Sequence, residues 1–152
     1  MPKVLLVDDE DTFRAPLARR LRLRGIETIE VDNGEDAVRC VRSDLEVDIV
    51  ILDRQMPGMS GEQTLREMRG FRPALQVIML TAHGSLGSAM ETGRLDAYAY
   101  LQKPCDFGEL EKVINDARKD RLHVMAREEI PAVARGSVWK WLAGSHNSRP
   151  GV

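Results

Sequence analysis

Five times along this chain a short apolar run gives way to a segment of helical periodicity. The runs are Val4-Leu5-Leu6-Val7, Ile26 to Val31, Val47 to Leu52, Val77-Ile78-Met79-Leu80 and Ala97 to Leu101. After them come Phe13, Leu17 and Leu21, then Ala37, Val38 and Val41, then Leu65 and Met68, then the small residues of Ser85 to Thr92, and last Leu110, Val113, Ile114 and Ala117. Apolar positions three and four apart mark one face of a helix. Short, continuously apolar strands alternating with helices imply a parallel sheet covered on both faces. The crossovers of such a sheet are right-handed. The fold class, a doubly wound α/β sheet of five βα units, follows from this pattern; the order of the strands does not.

Local signals set the expected boundaries. Gly25 stops the first helix at a C′ position, and Pro16 is expected near its first turn, where a missing N–H does least harm. Asn33-Gly34 reads as a turn, and Gly70 as the stop of the third helix. Asp106 and Glu109 form a D-x-x-E capping box at the start of the last helix, which the spacing of Leu122 and Met125 carries to about Glu128, before Pro131.

A chain of 152 residues can bury roughly two-thirds of its unfolded surface and support its own core. The formal net charge of −2 gives no bulk electrostatic case for nucleic acid or an anionic membrane. Two cysteines, Cys40 and Cys105, make no disulfide framework. The apolar opening is too short for a signal-peptide core and no run approaches a membrane span. The expected location is the cytoplasm, with both thiols reduced.

The residues that end the strands carry the chemistry. The first run ends in Asp8-Asp9, the third in Asp53, the fourth in Thr81 and the fifth in Lys103-Pro104. In a parallel sheet all strand C-termini share one edge, where ligands bind in open α/β folds. Asp8, Asp9 and Asp53 would then stand close together. Two like charges at about 4 Å repel by about 4 kcal/mol at an effective dielectric near 20. Lys103 offsets part of that, and a hard divalent cation is the cheapest further remedy. Magnesium suits one or two carboxylates, waters and a phosphoryl oxygen. A cation, a lysine and a hydroxyl also suit the oxygens of a transferring phosphoryl group. The attacking atom is then a carboxylate oxygen, which makes Asp53, at the tip of a core strand, the candidate phosphate acceptor.

The sequences LLVDDE, ILDRQMPGMSG, IMLTAH and AYLQKP, in that order and each at a strand end, make residues 3–118 resemble the receiver domain of a two-component response regulator, of the CheY-like single-domain type. The resemblance implies a flavodoxin-like fold with strand order 2-1-3-4-5. It implies that Asp9 and Asp53 ligate Mg2+ directly with the backbone carbonyl of Gln55, and that Asp8 acts largely through water. Lys103 would bind the phosphoryl group, Thr81 would turn inward to it, and Tyr100 would change rotamer on activation. Gln55 and His83 stand where the family tunes hydrolysis. The phosphodonor would be a sensor histidine kinase, and the fourth helix, fifth strand and fifth helix would form the output face for a downstream protein or a homodimer. One departure is Asp96-Ala97, where Gly-Ala is usual.

Blander readings stand beside these. Asp8 and Asp9 would also serve as caps of the first helix, Tyr100 as a half-buried strand aromatic, and His83 as a solvated loop residue. The rival function is a haloacid-dehalogenase-like phosphatase or phosphotransferase. Such enzymes carry a second acid two residues after the nucleophile, and here that residue is Gln55, which supplies no general acid. A receiver-like scaffold that is never phosphorylated is the other alternative. No nucleotide-binding G-x-G-x-x-G or G-x-x-x-x-G-K-[ST] occurs. The domain division is a receiver over 1–120 and a C-terminal extension over 121–152 with no recognised output domain. That extension is basic and holds both tryptophans, Trp139 and Trp141. Its readings are packing on its own domain or a dimer mate, a docking peptide, a membrane contact or disorder.

Overall fold

The computed structural model describes residues 2–82 and 97–128. In chain order the elements are β1 (Lys3–Val7), α1 (Asp11–Leu23), β2 (Glu27–Val31), α2 (Gly34–Ser43), β3 (Ile49–Asp53), α3 (Gly61–Phe71), β4 (Gln76–Thr81), β5 (Ala99–Gln102) and α4 (Phe107–Glu128). The five strands form one sheet in the order β2-β1-β3-β4-β5, parallel throughout. This is the order the resemblance implies. α4 is the fifth helical segment of the sequence. The small-residue segment 85–92, His83, Asp96 and residues 129–152 lie outside the described residues.

Strand periodicity splits the core into two layers. Leu5, Val7, Val50, Leu52, Val77 and Met79 face one way and pack with Ala37, Val38 and Val41 of α2 and Leu65 and Met68 of α3. Val4, Leu6, Ile49, Ile51, Ile78 and Leu80 face the other way, against Ala18 and Leu21 of α1 and Leu110, Ile114 and Ala117 of α4. Both faces of the central strands are therefore dry, which is why these strands read as continuous apolar runs rather than alternating ones.

The ends of α1 show how local chemistry sets the frame. The backbone N–H of Gly25 donates to Arg22 O (3.0 Å) and that of Ile26 to Leu21 O (3.1 Å), the paired bonds of a Schellman stop. Gly25 has φ +82°, a conformation in which a Cβ is strained. Gly25→Ala is expected to lower the unfolding free energy by about 1 kcal/mol in a urea melt. An unchanged midpoint and slope would contradict this account of the stop.

Several boundaries differ from expectation. Pro16 is the sixth residue of α1, beyond its first turn. The helix starts at Asp11, ahead of its first apolar residue. Thr12, whose carbonyl the proline leaves without a helical donor, is exposed to water. Asn33-Gly34 is not a free turn: Asn33 is the N-cap of α2, and its side-chain oxygen accepts from Asp36 N at 2.7 Å. Gly70 does not end α3, which runs to Phe71. The following Arg72 precedes Pro73, and a residue before proline is disfavoured in the helical region. At α4 the side chain of Asp106 accepts from Glu109 N at 3.0 Å, as the capping pattern predicts. Cys40 and Cys105 are half-buried and unbridged, and burial pushes both thiols up from their ordinary value. No helix among the described residues is long and apolar enough to cross a membrane.

Candidate functional site: an acidic cluster at the strand ends

β1 and β3 are hydrogen-bonded neighbours, with Val7 opposite Leu52. Asp8 and Asp53, each one residue further on, therefore emerge side by side. Asp53 is itself the last paired residue of β3, opposite Leu80 of β4, and Arg54 N donates to Leu80 O at 3.0 Å. Thr81 ends β4 fully buried, and its carbonyl accepts from Lys103 N at 2.8 Å. The sheet ladder alone thus brings Asp8, Asp53, Thr81 and Lys103 to one rim.

Asp8, Asp9 and Asp53 each offer a carboxylate oxygen within 4.8 Å of the others. Asp8 and Asp53 are buried, and Asp9 is exposed. Asp8 is tightly held. Its Oδ1 accepts from Glu10 N at 2.9 Å, and its carbonyl accepts from Arg14 Nη1 at 2.7 Å. Neither Asp8 nor Asp9 caps α1; the N-cap is Glu10, without a side-chain cap bond. Lys103 Nζ lies 2.8 Å from Asp8 Oδ2 and 3.5 Å from Asp53 Oδ1. The Lys103 ammonium is thus the partner of the buried Asp8 Oδ2, which has no other donor among the described residues.

The charges set the proton affinities. Burial raises the Asp53 carboxyl, and repulsion from Asp8 adds to it. Lys103 and a hydrogen bond from the Gln55 backbone oppose them, and the result is a carboxyl pushed up to about 6. Burial pulls the Lys103 ammonium down, but Asp8, Asp53 and Glu10 outweigh it and hold the lysine above its ordinary value. Three convergent carboxylates sharing Lys103, and a raised acid, describe a pocket short of positive charge. Oxygen-only donors of this kind suit a hard divalent cation.

Residues 4–115 match the response regulator receiver domain. The chain belongs to this family. It is 35% identical over 141 residues to the regulatory protein AtoC of Escherichia coli (strain K12), covering 91% of this chain and 30% of AtoC. It is 32% identical over 112 residues to sporulation initiation phosphotransferase F of Bacillus subtilis (strain 168), covering 74% of this chain and 90% of that protein. Among solved structures, a response regulator receiver domain protein from Clostridium thermocellum superposes with a TM-score of 0.76 at 31% identity, covering 82% of this chain and 99% of that one. The chain thus spans less than a third of AtoC's length. As a receiver it is a phosphoacceptor module of two-component signalling, and receivers take their phosphoryl group from histidine kinases.

Within this receiver the structure brings Asp8, Asp9, Asp53 and Lys103 together, with Thr81 at the same strand edge. Gln55 follows in the loop after β3 with its side chain exposed. The Thr81 hydroxyl makes a long contact, 3.5 Å, to Ala82 O. Tyr100 lies opposite Met79 in β5 and packs against the α2–α3 layer. Three neighbours escaped the sequence reading. Glu10 Oε1 is 3.2 Å from Lys103 Nζ, the Phe13 ring centroid is 4.5 Å from it, and Arg14 fixes the Asp8 carbonyl. Phe13 reads as a core residue from its helical spacing. The only hint to Glu10 is its place directly after the acid pair.

Proposed function

We propose that Asp53 is the phosphoacceptor of this receiver and that Asp8, Asp9, Asp53 and the backbone carbonyl of Gln55 form its Mg2+ site. The convergence of the Asp8, Asp9 and Asp53 carboxylates beside Lys103 carries this reading. When bound, Mg2+ would neutralise the acidic cluster and the oxygens of the incoming phosphoryl group. An Asp53 carboxylate oxygen forms the new O–P bond while the N–P bond of a donor phosphohistidine breaks, its electron pair leaving with the imidazole. Lys103, already 3.5 Å from Asp53 Oδ1, pairs with the transferred group. The new charge of roughly −2 draws the Thr81 hydroxyl inward from its long contact.

That movement biases Tyr100 between two arrangements, a population shift within one fold. The face made by β5 and α4 then meets a downstream protein or a second copy of the chain. His83 and Gln55 tune the lifetime of the phosphoryl group. The receiver occupies 1–120, 121–152 is an extension, and the module works in the cytoplasm without direct nucleic-acid contact. It catalyses only its own phosphorylation and dephosphorylation. A hydrolase reading lacks a general acid, since Gln55 stands where one would be needed.

Acetyl phosphate with Mg2+ is expected to add a single hydroxylamine-labile phosphoryl group per chain, seen by intact mass and lost when EDTA removes the metal. Absence of label, or repeated turnover of p-nitrophenyl phosphate, would overturn the reading.

A further inference from the structure

Lys103 is shared among more partners than phosphoryl binding requires. Its Nζ lies 2.8 Å from Asp8 Oδ2, 3.2 Å from Glu10 Oε1 and 3.5 Å from Asp53 Oδ1, with the Phe13 ring centroid at 4.5 Å. Asp8 and Asp53 belong to the buried cluster. Glu10 does not. Its side chain is 60% exposed, it is the N-cap of α1 yet makes no side-chain cap bond, and Lys103 is the partner its carboxylate has reached. The Glu10 backbone is fixed, because its N–H donates to Asp8 Oδ1 and its carbonyl accepts from Arg14 N at 2.8 Å. The carboxylate is therefore presented at the mouth of the pocket from a rigid position and competes for the ammonium that a phosphoryl group must engage.

The geometry points to Glu10 as a positioning residue: the counter-ion that holds Lys103 in the unphosphorylated protein and that the phosphoryl group must displace. This rests on the phosphoacceptor reading of Asp53. Glu10 acts through Lys103 and touches no reacting atom. Two effects have the same sign. The Glu10–Lys103 pair must be released when the ammonium turns to the phosphoryl oxygens, and the Glu10 charge stays near a newly arrived dianion. Both weaken phosphoryl binding, by the modest amount an exposed ion pair supports, and both fade as salt screens them.

The test pairs a metal-free measurement with a ligand measurement. In EDTA, urea unfolding of wild type, Glu10→Gln, Lys103→Met and the double variant is expected to show a coupling of about twofold or more in the unfolding constant. With saturating Mg2+ and low salt, calorimetric titration with beryllofluoride, a phosphoryl mimic, is expected to show Glu10→Gln binding about threefold more tightly than wild type. Glu10→Asp should lie between the two, and all three should converge at high salt. Absence of coupling, or mimic affinity in Glu10→Gln equal to or below that of wild type, overturns the role of Glu10. Wild type that binds no mimic in Mg2+ overturns the phosphoacceptor reading itself, and is distinguished by failing before any variant is compared.

Discussion

Gly61→Ala is expected to destabilise this protein by about 3 kcal/mol and to slow phosphoryl labelling even in the fraction that folds. Gly61 is the first residue of α3, and its N–H donates to Arg54 O at 2.9 Å, closing the loop that leaves β3. A Cβ at this position would stand 2.4 Å from the carbonyl oxygen of Asp53 and 2.7 Å from the Cα of Arg54. Both are backbone atoms, so no side-chain rotation relieves the contact. Either α3 retreats from the core made by Leu65 and Met68, or the backbone of Asp53 moves. The first loses packing; the second displaces the candidate acceptor relative to Asp8 and Lys103, where small misplacements cost reactivity. Urea unfolding measures the first effect, and the acetyl phosphate labelling rate under native conditions measures the second. A Gly61→Ala protein with wild-type stability and labelling would show that the loop after β3 is not pinned to α3 as described. By contrast, the added Cβ at Gly70 meets nothing within 4 Å, so Gly70→Ala serves as a control in the same helix.

The contrast between Gly61 and Gly70 also shows what can be read from residues alone. Both are glycines of the same helix, one a steric necessity and one free, and only a three-dimensional neighbour distinguishes them. The strands are legible because burial on both faces of a parallel sheet forces unbroken apolar runs, and Val4 to Val7 and Val77 to Leu80 show that directly. The placement of Asp8, Asp53, Thr81 and Lys103 on one rim is legible for the same reason: parallel strands share an edge whatever their order. The order itself needed family resemblance, since hydrophobic pattern does not say which strand lies beside which. Helix ends were less legible where two signals compete. At Asn33-Gly34 the same residues fit a turn or an N-cap, and the hydrogen bond to Asp36 decides. At Pro16 the first apolar residue, Phe13, puts the helix start too late, because α1 opens on the exposed polar pair Asp11-Thr12. Glu10 was illegible as a partner of Lys103, since a contact between residues 93 apart leaves no trace in local spacing.

Asp53→Asn is expected to abolish labelling and, in metal-free buffer above pH 7, to stabilise the fold by about 3 kcal/mol. The Asp53 carboxyl titrates near 6 in the folded protein, against about 3.9 when unfolded. Between those values the folded state holds the proton that the unfolded state has released. The unfolded state thus binds fewer protons, and stability falls as pH rises from about 4 to about 6. Above that range the fold carries the full cost of a buried carboxylate facing Asp8. Asparagine has the same shape and no charge, and its side-chain oxygen can still accept the hydrogen bond from the Gln55 backbone. The variant should therefore lose this downward contribution to the pH profile while other groups keep theirs. Mg2+ should narrow the gap, because a cation relieves in wild type the repulsion that the variant has already removed. Chemical unfolding at pH 4.5 and 7.5, with and without Mg2+, gives the four values for each protein. A variant less stable than wild type at pH 7.5 in EDTA would mean that Lys103 already neutralises Asp53 fully. The pocket would then have no unmet demand for positive charge, and the argument for a cation there would lose its electrostatic basis.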